Sequence, residues 1–565
     1  MASTRLIQIP DPIHGYIPVE PRFMDIVDTP EFQRLRSIEQ GSFRPAYPGA
    51  RHDRFIHSLG TYHLATKFVE HFFNNLRDDV PNIQLTTQEE ENLKVTFRYA
   101  ALLHDVGHAP FSHTTEVLFK EQRRKGSKFP LIWDQLCEEV DKLPAPADPV
   151  RFRKSTTKAV GAPHEIMSAI VLLRKHSDFT RGSGWNNVSI DPELAARMII
   201  GYPYSPEDVN APAPQAIQAY GIRNCLINLL NSKVMDVDRM DYLGRDTQMS
   251  GFVNAPVDLD CLARSVTAVE EDGWLVPAFR EEAINVIDTM FHAKLSHDAW
   301  VLAQPAGAYD AALREHCIRS IDALTVNADK GKYLSTVFTV NALSADGVEW
   351  DNKTYRFLSD ADILSDMKAR NCAPFNELLT RLPGQRRYPA WRSYFEFRYL
   401  FDNEPAATAD DVYNFFHELL EYMKTVHIFE FTPVSFQTIL RAVPTTPQEE
   451  YDYARMKRAA RFLDKYLTHV FSSTGKPYNV VLLQRSNNYT MTLDPGLIRI
   501  RFTHSRLPLS TANRNYATFA ELRNLTKRDI RTNNYFYLYR RGSFSTSHLI
   551  KLRDDLYAEL RFPLA

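Results

Sequence analysis

Five places in the chain carry residue types that bind metal ions or move protons: His57, the adjacent pair His104-Asp105, His108, His113 and Asp238. They fall in the segments RFIHSLG, LLHDVGHAPFSH and MDVDRMDYLGRD. An apolar stripe of Val95, Tyr99, Leu102, Leu103 and Val106, spaced three and four apart, predicts one buried helix with His104 and Asp105 inside it. A buried aspartate needs a partner, because an unpaired buried charge is strongly unfavourable. A divalent cation is the simplest one. Two imidazoles and two carboxylates, from His57, His104, Asp105 and Asp238, suit iron, manganese, zinc or, less well, magnesium. Four such ligands leave octahedral positions open for water or a phosphate oxygen, and a cation there generates a nucleophile near neutral pH. A lone His-Asp dipeptide carries no weight. The argument rests on four features in order: a His on an earlier helix, His-Asp ending an apolar helix, GHAPFSH directly after, and DVDRMDY on a later helix.

The elements that must position these groups are mostly helical. A short β-hairpin is predicted near residues 5–19, and helices from about 22 to 325. His104 and His108, four apart, are expected to project from one helix face, with Gly107 and Pro110 loosening the helix beyond them. One helix from about Ile222 to Arg245 buries Ile222, Leu226, Leu229, Leu230 and Val234. It then presents Asp238, Asp241, Tyr242 and Asp246 at three- and four-residue steps. Asp236 falls off that face and reads as a salt bridge or solvent contact. Pro163-His164-Glu165 opens another helix, with Ile166, Ile170 and Leu173 buried. Asp28 before Thr29-Pro30 reads as a helix N-cap, with Arg36 paired to Glu39 or Glu31.

These segments resemble the HD-domain deoxynucleoside triphosphate triphosphohydrolases. The stretches that carry the resemblance are DPIHGYIPV from Asp11, DTPEFQRLRSIEQ from Asp28, PGARHDRFIHSLGTYHLA from Pro48, LLHDVGHAPFSH from Leu102, PHE from Pro163 and DVDRMDYLGRD from Asp236. They are collinear over about residues 5–255, with a weaker likeness in FLSDADILSDM from Phe357. The resemblance implies hydrolysis of a dNTP at the α-phosphate to deoxynucleoside and triphosphate, with a bias to dGTP. It implies His57, His104, Asp105 and Asp238 as metal ligands, and a second magnesium carried in with the nucleotide. His108, His113 and His164 match active-site histidines beside the phosphates, His113 being the proton donor to the leaving 5′-oxygen. Arg54 matches a phosphate-binding arginine, Tyr242 and Asp246 the sugar end, and Gln40 a second 3′-hydroxyl contact. Asp28, Gln33 and Arg36 match a site for an activating GTP or dNTP. The resemblance also implies a homo-oligomer, tetramer or hexamer, and a role in nucleotide-pool balance or antiviral defence.

There are departures from the family's pattern. Arg239 stands where a Lys follows the metal Asp, which keeps the charge but replaces a point ammonium with a planar fork. In MFHAKLSHDAWVLAQP, Lys294, His292 or His297 is expected to serve the phosphates and Trp300 to stack on the sugar. Other readings stay open: an HD hydrolase acting on another nucleotide or nucleic acid, and a non-catalytic nucleotide-sensing module. The intact ligand set disfavours the second.

The net charge of −2 over 565 residues gives no global basic excess for obligate nucleic-acid binding. Five cysteines (Cys137, Cys225, Cys261, Cys317, Cys372) show no CxxC pairing, which fits buried thiols in a reducing cytoplasm. A polar N-terminus without a signal-peptide core and no stretch of 18 apolar residues predict neither export nor a membrane span. With DPIHG beginning at Asp11, no SAM domain is expected ahead of the core. The fold class predicted is mainly α, an HD-type helical core with small hairpins over 1–400, carrying an insertion at about 121–160. A C-terminal α+β lobe over 405–565 is expected to serve regulation or oligomerisation. A hairpin is expected around 332–357, with Thr336–Val340 as its first strand, and helices at 358–382, 408–425 and 447–470. Tyr478–Gln484 and Leu497–Phe502 read as strands flanking a turn. Aromatics among bases between Arg514 and Arg541 raise weak single-stranded nucleic-acid binding, with a half-buried strand the favoured reading.

Overall fold

The predicted N-terminal hairpin is present, Ile7–Asp11 pairing antiparallel with Gly15–Val19. The computed structural model describes residues 5–125, 127, 129–144, 161–204, 214–232, 235–252, 257–325, 331–370, 373–380, 386–402, 407–471, 477–487, 494, 497–502, 515–522 and 533–561. The protein is mainly α with small sheets. Its chain divides into two units that interleave in sequence. The first takes Met1–His297, Asp322–Asp366 and Met491–Ile530; the second takes Asp298–Ile321, Met367–Thr490 and Arg531–Ala565.

The first unit is built around two long helices. Arg54–Asp79 starts where the Asp53 carboxylate accepts the Ile56 amide at 3.1 Å. Thr87–Leu103 starts with a reciprocal cap between Thr86 and Glu89. They pack against each other through Phe68, Val69, Phe72 and Leu76 on one and Val95, Tyr99, Leu102 and Leu103 on the other, all fully buried. Each such side chain contributes about 1.5–3 kcal/mol of burial. The helix ends at Leu103 with His104 as its C-cap, so His104 and His108 do not share a helical face. Asp105–Gly107 continue as a turn, because Gly107 passes against the Met167–Ser168 backbone, where a Cβ would lie 2.4 Å from the Met167 carbonyl carbon.

The helix expected over 222–245 is two helices, Pro214–Leu230 and Val237–Ser250. Asp236 interrupts it as an N-cap, accepting the Arg239 amide at 2.7 Å and the Ser232 amide at 3.1 Å. Asp236 is thus a buried cap with a 3.7 Å contact to Arg239, and not a solvent contact; Val234 lies outside the described residues. Likewise Thr29, not Asp28, caps the Pro30–Gln33 helix, and Asp28 ends the helix before it.

Two strands interrupt the region expected to be helical. Val266–Glu271 and Trp274–Arg280 form a hairpin around Asp272 and Gly273, both at positive φ (51° and 80°). Arg499–Arg501 joins that sheet parallel to Trp274–Arg280, and Tyr516–Thr518 closes its edge. The hairpin near 332–357 is confined to Val348–Trp350 and Lys353–Tyr355. Residues Tyr333–Val337 are helical and Val340–Leu343 a 3-10 turn, since a short buried apolar run fits helix and strand equally. Of the insertion at 121–160, Leu131–Asp141 is an amphipathic helix and residues 145–160 lie outside the described residues.

The second unit holds helices Ala409–Thr425, Pro447–Phe471 and Thr546–Leu560 as expected for the first two. Its antiparallel sheet runs in the order Arg387–Pro389, Asn533–Arg541, Val480–Asn487. The strands at 480–487 and 499–501 therefore belong to different sheets. Tyr535, Phe536, Tyr537 and Tyr539 are all core residues with at most 2% exposure, so they offer no face for base stacking. Residues 523–532 lie outside the described residues. Cys137, Cys225 and Cys317 are buried free thiols, Cys261 is half-buried, and Cys372 is outside the described residues. No helix among the described residues is long and apolar enough to cross a membrane.

Candidate active site

His57 sits on the first turn of the Arg54–Asp79 helix, His104 and Asp105 just past the end of Thr87–Leu103, and Asp238 on the first turn of Val237–Ser250. Three helix ends thus converge. His104 Nδ1 lies 2.9 Å from the Ala101 carbonyl, which only accepts, so Nδ1 carries the proton and a neutral ring leaves Nε2 bare. His57 Nδ1 donates to Asp241 Oδ2 at 2.8 Å and is fixed in the same tautomer. The two Nε2 atoms face each other at 3.3 Å. Asp238 Oδ1 lies 2.9 Å from one and 3.5 Å from the other. Asp105 Oδ2 lies 3.7 Å from His57 Nε2 and 3.6 Å from His104 Nε2. His57, His104 and Asp238 thus turn three electron-pair donors towards one spot, where they repel unless a cation lies between them, and Asp105 stands at its edge, bonded to Arg54. Ligands about 2.1 Å from a common ion at right angles stand ~3 Å apart, so the residues fit a divalent metal. Burial opposes charging His57, but Asp238 and Asp241 push it up to about 10, the proton taking the part of the cation. Burial likewise opposes Asp105, yet Arg54 at 2.9 Å and the histidines hold its carboxyl well below the usual range.

Behind the donors stand residues whose roles spacing alone does not reveal. Asp241 is gripped by Arg245 through two 2.8 Å bonds and by His14 at 2.7 Å, and Arg245 also reaches Asp11 at 2.8 Å. Gly60 makes this possible, because a Cβ there would lie 1.9 Å from Asp241 Oδ1. Outer groups of this kind fix ring orientation and set ligand basicity. Asp241→Asn is expected to weaken metal binding by roughly 10–100-fold, measured by competition with a calibrated chelator. An unchanged affinity would show that Asp241 does not orient His57.

Beside the metal donors lies a second cluster of His108, His113, His164 and Glu116. Glu116 Oε1 is its centre, 2.7 Å from His113 Nδ1, 2.9 Å from His164 Nδ1 and 3.6 Å from His108 Nε2. His164 opens the Pro163–Phe179 helix as predicted and stacks on His108 at 4.7 Å. Burial opposes charge on His164, but Glu116 pushes it up to about 9. Burial also opposes charge on Glu116, and His164 and His113 hold it well below its ordinary value. His108 is driven the other way by burial and by Arg54, so it stays neutral. Both its ring nitrogens are buried without a hydrogen bond among the described residues. His113 lies at the opening, its side chain 63% exposed. Glu116 was not singled out from the sequence; its position three residues after His113 was the available signal.

Arg54 spans both clusters. Besides Asp105 it bonds Ser112 Oγ at 3.0 Å and the Gln40 carbonyl at 2.8 Å, with His113 Nε2 at 3.3 Å. Gln40 Oε1 is buried without a partner among the described residues. Arg239 turns its Nε to the Tyr242 hydroxyl at 3.3 Å and an NH2 to the Ser232 carbonyl at 3.2 Å. Asp246 is held on both oxygens, by His52 at 2.7 Å and His297 at 2.9 Å, all three buried. Lys294 is buried with its ammonium 5.7 Å from the Tyr242 ring centre. His292 is exposed and faces Asp288, and Trp300 is 55% exposed and belongs to the second unit. Arg36 bonds Gln33 Oε1 at 2.9 Å and lies 3.4 Å over the Phe55 ring, so it pairs with neither Glu31 nor Glu39; Asp28 is exposed nearby in sequence.

The loop bearing these histidines is pinned from afar. Phe111 and Ser112 adopt left-handed φ of 57° and 51°. Asp360 accepts the Phe111 amide at 2.6 Å and the Glu39 amide at 2.9 Å. Arg34 donates to the carbonyls of Val106, His108 and Leu358 at 2.7–3.1 Å.

Residues 54–183 match the HD domain. The chain is 44% identical over 106 residues to deoxynucleoside triphosphate triphosphohydrolase SAMHD1 of Bos taurus, a match covering 19% of this chain and 17% of that protein. It is 28% identical over 284 residues to an uncharacterized Mycoplasma pneumoniae protein, covering 49% and 52%. The chain thus spans about a fifth of the SAMHD1 relatives and about half of the Mycoplasma one. A hypothetical protein from Aquifex aeolicus shares the fold over 98% of this chain and all of its own, with TM-score 0.52 at 17% identity.

Proposed function

Taking the HD domain at residues 54–183 as premise, we propose that the chain is a metal-dependent phosphohydrolase that cleaves deoxynucleoside triphosphates at the α-phosphorus. The observation that carries the reading is the placement of Arg54 between a cation-ready donor set and a histidine cluster with unpartnered buried nitrogens. A divalent cation held by His57, His104, Asp105 and Asp238 supplies Lewis acidity and lowers the pKa of water. Iron, manganese or zinc suits the two imidazoles better than magnesium. His164, kept charged by Glu116, and Arg54 offer positive charge to phosphate oxygens. His108 and Gln40 supply neutral hydrogen-bonding atoms that have no hydrogen bond among the described residues. His113, with Glu116 behind its Nδ1, stands at the opening to protonate the departing 5′-oxygen. Water adds at phosphorus, the bond to the 5′-oxygen breaks, and deoxynucleoside and inorganic triphosphate leave.

A second reading, hydrolysis of another nucleotide, is favoured by one observation: each Asp246 oxygen already accepts from a buried histidine, so fewer of its lone pairs remain for the sugar contact that the resemblance implies. Incubation with manganese or magnesium and each dNTP, alone, mixed and with GTP, tests both. Triphosphate plus deoxynucleoside is the expected product pair. Pyrophosphate or orthophosphate as first product would sink the α-phosphorus assignment, and GTP-independent turnover would remove activation through Asp28, Gln33 and Arg36.

A further inference from the structure

In the second unit, helices Pro447–Phe471 and Thr546–Leu560 flank a cavity of about 650 Å³. The Tyr466 hydroxyl joins them by donating to the His548 carbonyl at 2.7 Å. Arg461, Lys465 and His469 recur every fourth residue on the first helix, so they line one face over about 12 Å. Arg458 and Lys551 add two further bases to the lining, and the acids there are Asp555 and Glu559. Both acids are already engaged: Arg458 Nε donates to Glu559 at 2.7 Å and Lys551 lies 3.1 Å from Asp555. Arg461 and Lys465 have no ion pair or hydrogen bond among the described residues. Two uncompensated cations therefore face a nucleotide-sized cavity floored by buried Phe462 and Tyr466.

We propose that this cavity is an anion site for a small ligand bearing several linked phosphates, either free polyphosphate or the tail of a nucleotide. The row of cations spans only about 12 Å, which suits a compact anion; a continuing nucleic-acid backbone would run past both ends of it. Arg461 forks onto phosphate oxygens and Lys465 supplies a point charge. The proposal does not rest on the HD-domain chemistry, and the first unit holds none of these residues.

The test is calorimetric titration of the full chain at low salt with chelator present, using inorganic tripolyphosphate in one arm and ATP in the other. Asp238→Ala is the background, which separates this site from the HD centre. Arg461→Glu with Lys465→Glu is expected to remove one binding site, or to weaken it at least tenfold, while Arg461→Lys with Lys465→Arg retains it. Tripolyphosphate binding without ATP binding identifies a free-polyphosphate site, and equal binding a nucleotide-tail site. Both positions are exposed, so the fold is retained, and circular dichroism checks it. Unchanged affinity and stoichiometry in the charge-reversed protein would overturn the proposal. So would a single-stranded oligonucleotide that binds through these residues more tightly than tripolyphosphate.

Discussion

Asp238→Ala protein is expected to purify with almost no bound transition metal and to hydrolyse nucleotide more than ~100-fold slower than the parent. The figure is a lower bound, because loss of an outer-shell partner alone costs metal sites about 10–100-fold. Asp238 Oδ1 is the donor nearest the bare Nε2 of His57, at 2.9 Å, and the only carboxylate of the set with a solvent-facing side chain. Its removal leaves two imidazoles and Asp105, and Asp105 is shared with Arg54. A guanidinium competes directly with a cation for that oxygen. Metal content by elemental analysis and turnover under saturating manganese are the two readouts. Full metal occupancy in the variant would refute the ligand assignment, whatever the activity. The same experiment on His104→Ala should agree, since its Nδ1 is held by the Ala101 carbonyl and its Nε2 is left to the cation.

Glu116→Gln is expected to lower kcat by about 10²–10⁴-fold, the range for general acid–base groups, and to shift the pH profile. With Glu116 present His164 stays charged up to about pH 9. Its folded pKa is raised, so the charge is complete at low pH and is lost as pH rises through that value. Removing the carboxylate takes away the main raising influence while burial remains, so His164 discharges at or below the ordinary ~6.5 of a histidine. The alkaline limb of the rate profile should therefore move to lower pH by two units or more. Measuring kcat from pH 5.5 to 9.5 checks this. A uniform drop with an unmoved alkaline limb would show that Glu116 acts only in packing.

The convergence of the proposed metal donors was legible because the HD motifs carry both residue type and order, and motif order survives errors in helix boundaries. His57, His104, Asp105 and Asp238 converge although two of the helices were drawn wrongly. The expected shared face of His104 and His108 failed because helical periodicity says nothing about where a helix stops. The stop is enforced by close backbone approach at Gly107, a tertiary contact. The break at Asp236 was hidden for a similar reason: apolar runs on both sides mimic one long stripe, and only the cap bonds to Arg239 and Ser232 distinguish two helices. The hairpin at 266–280, inside a region expected to be helical, was missed as well. Val266–Val269 is buried throughout and shows no alternation, so the turn pair Asp272-Gly273, with its preference for positive φ, was the signal available. Glu116, Asp241 and His52 were less visible, since each matters through a partner 40 or more residues away or through a geometry that spacing alone does not set.

Asp360 closes the Phe111 turn from 249 residues downstream. On a ribosome adding about 5–20 residues per second, that carboxylate is made roughly 10–50 s after the histidine loop it secures. During this interval water stands in for Asp360 at the Phe111 amide, and Arg34 has only the Val106 and His108 carbonyls to hold. The nascent HD segment therefore waits, incompletely organised, for a distant stretch of chain to be born. An excised fragment ending near residue 183 would lack both of these clamps.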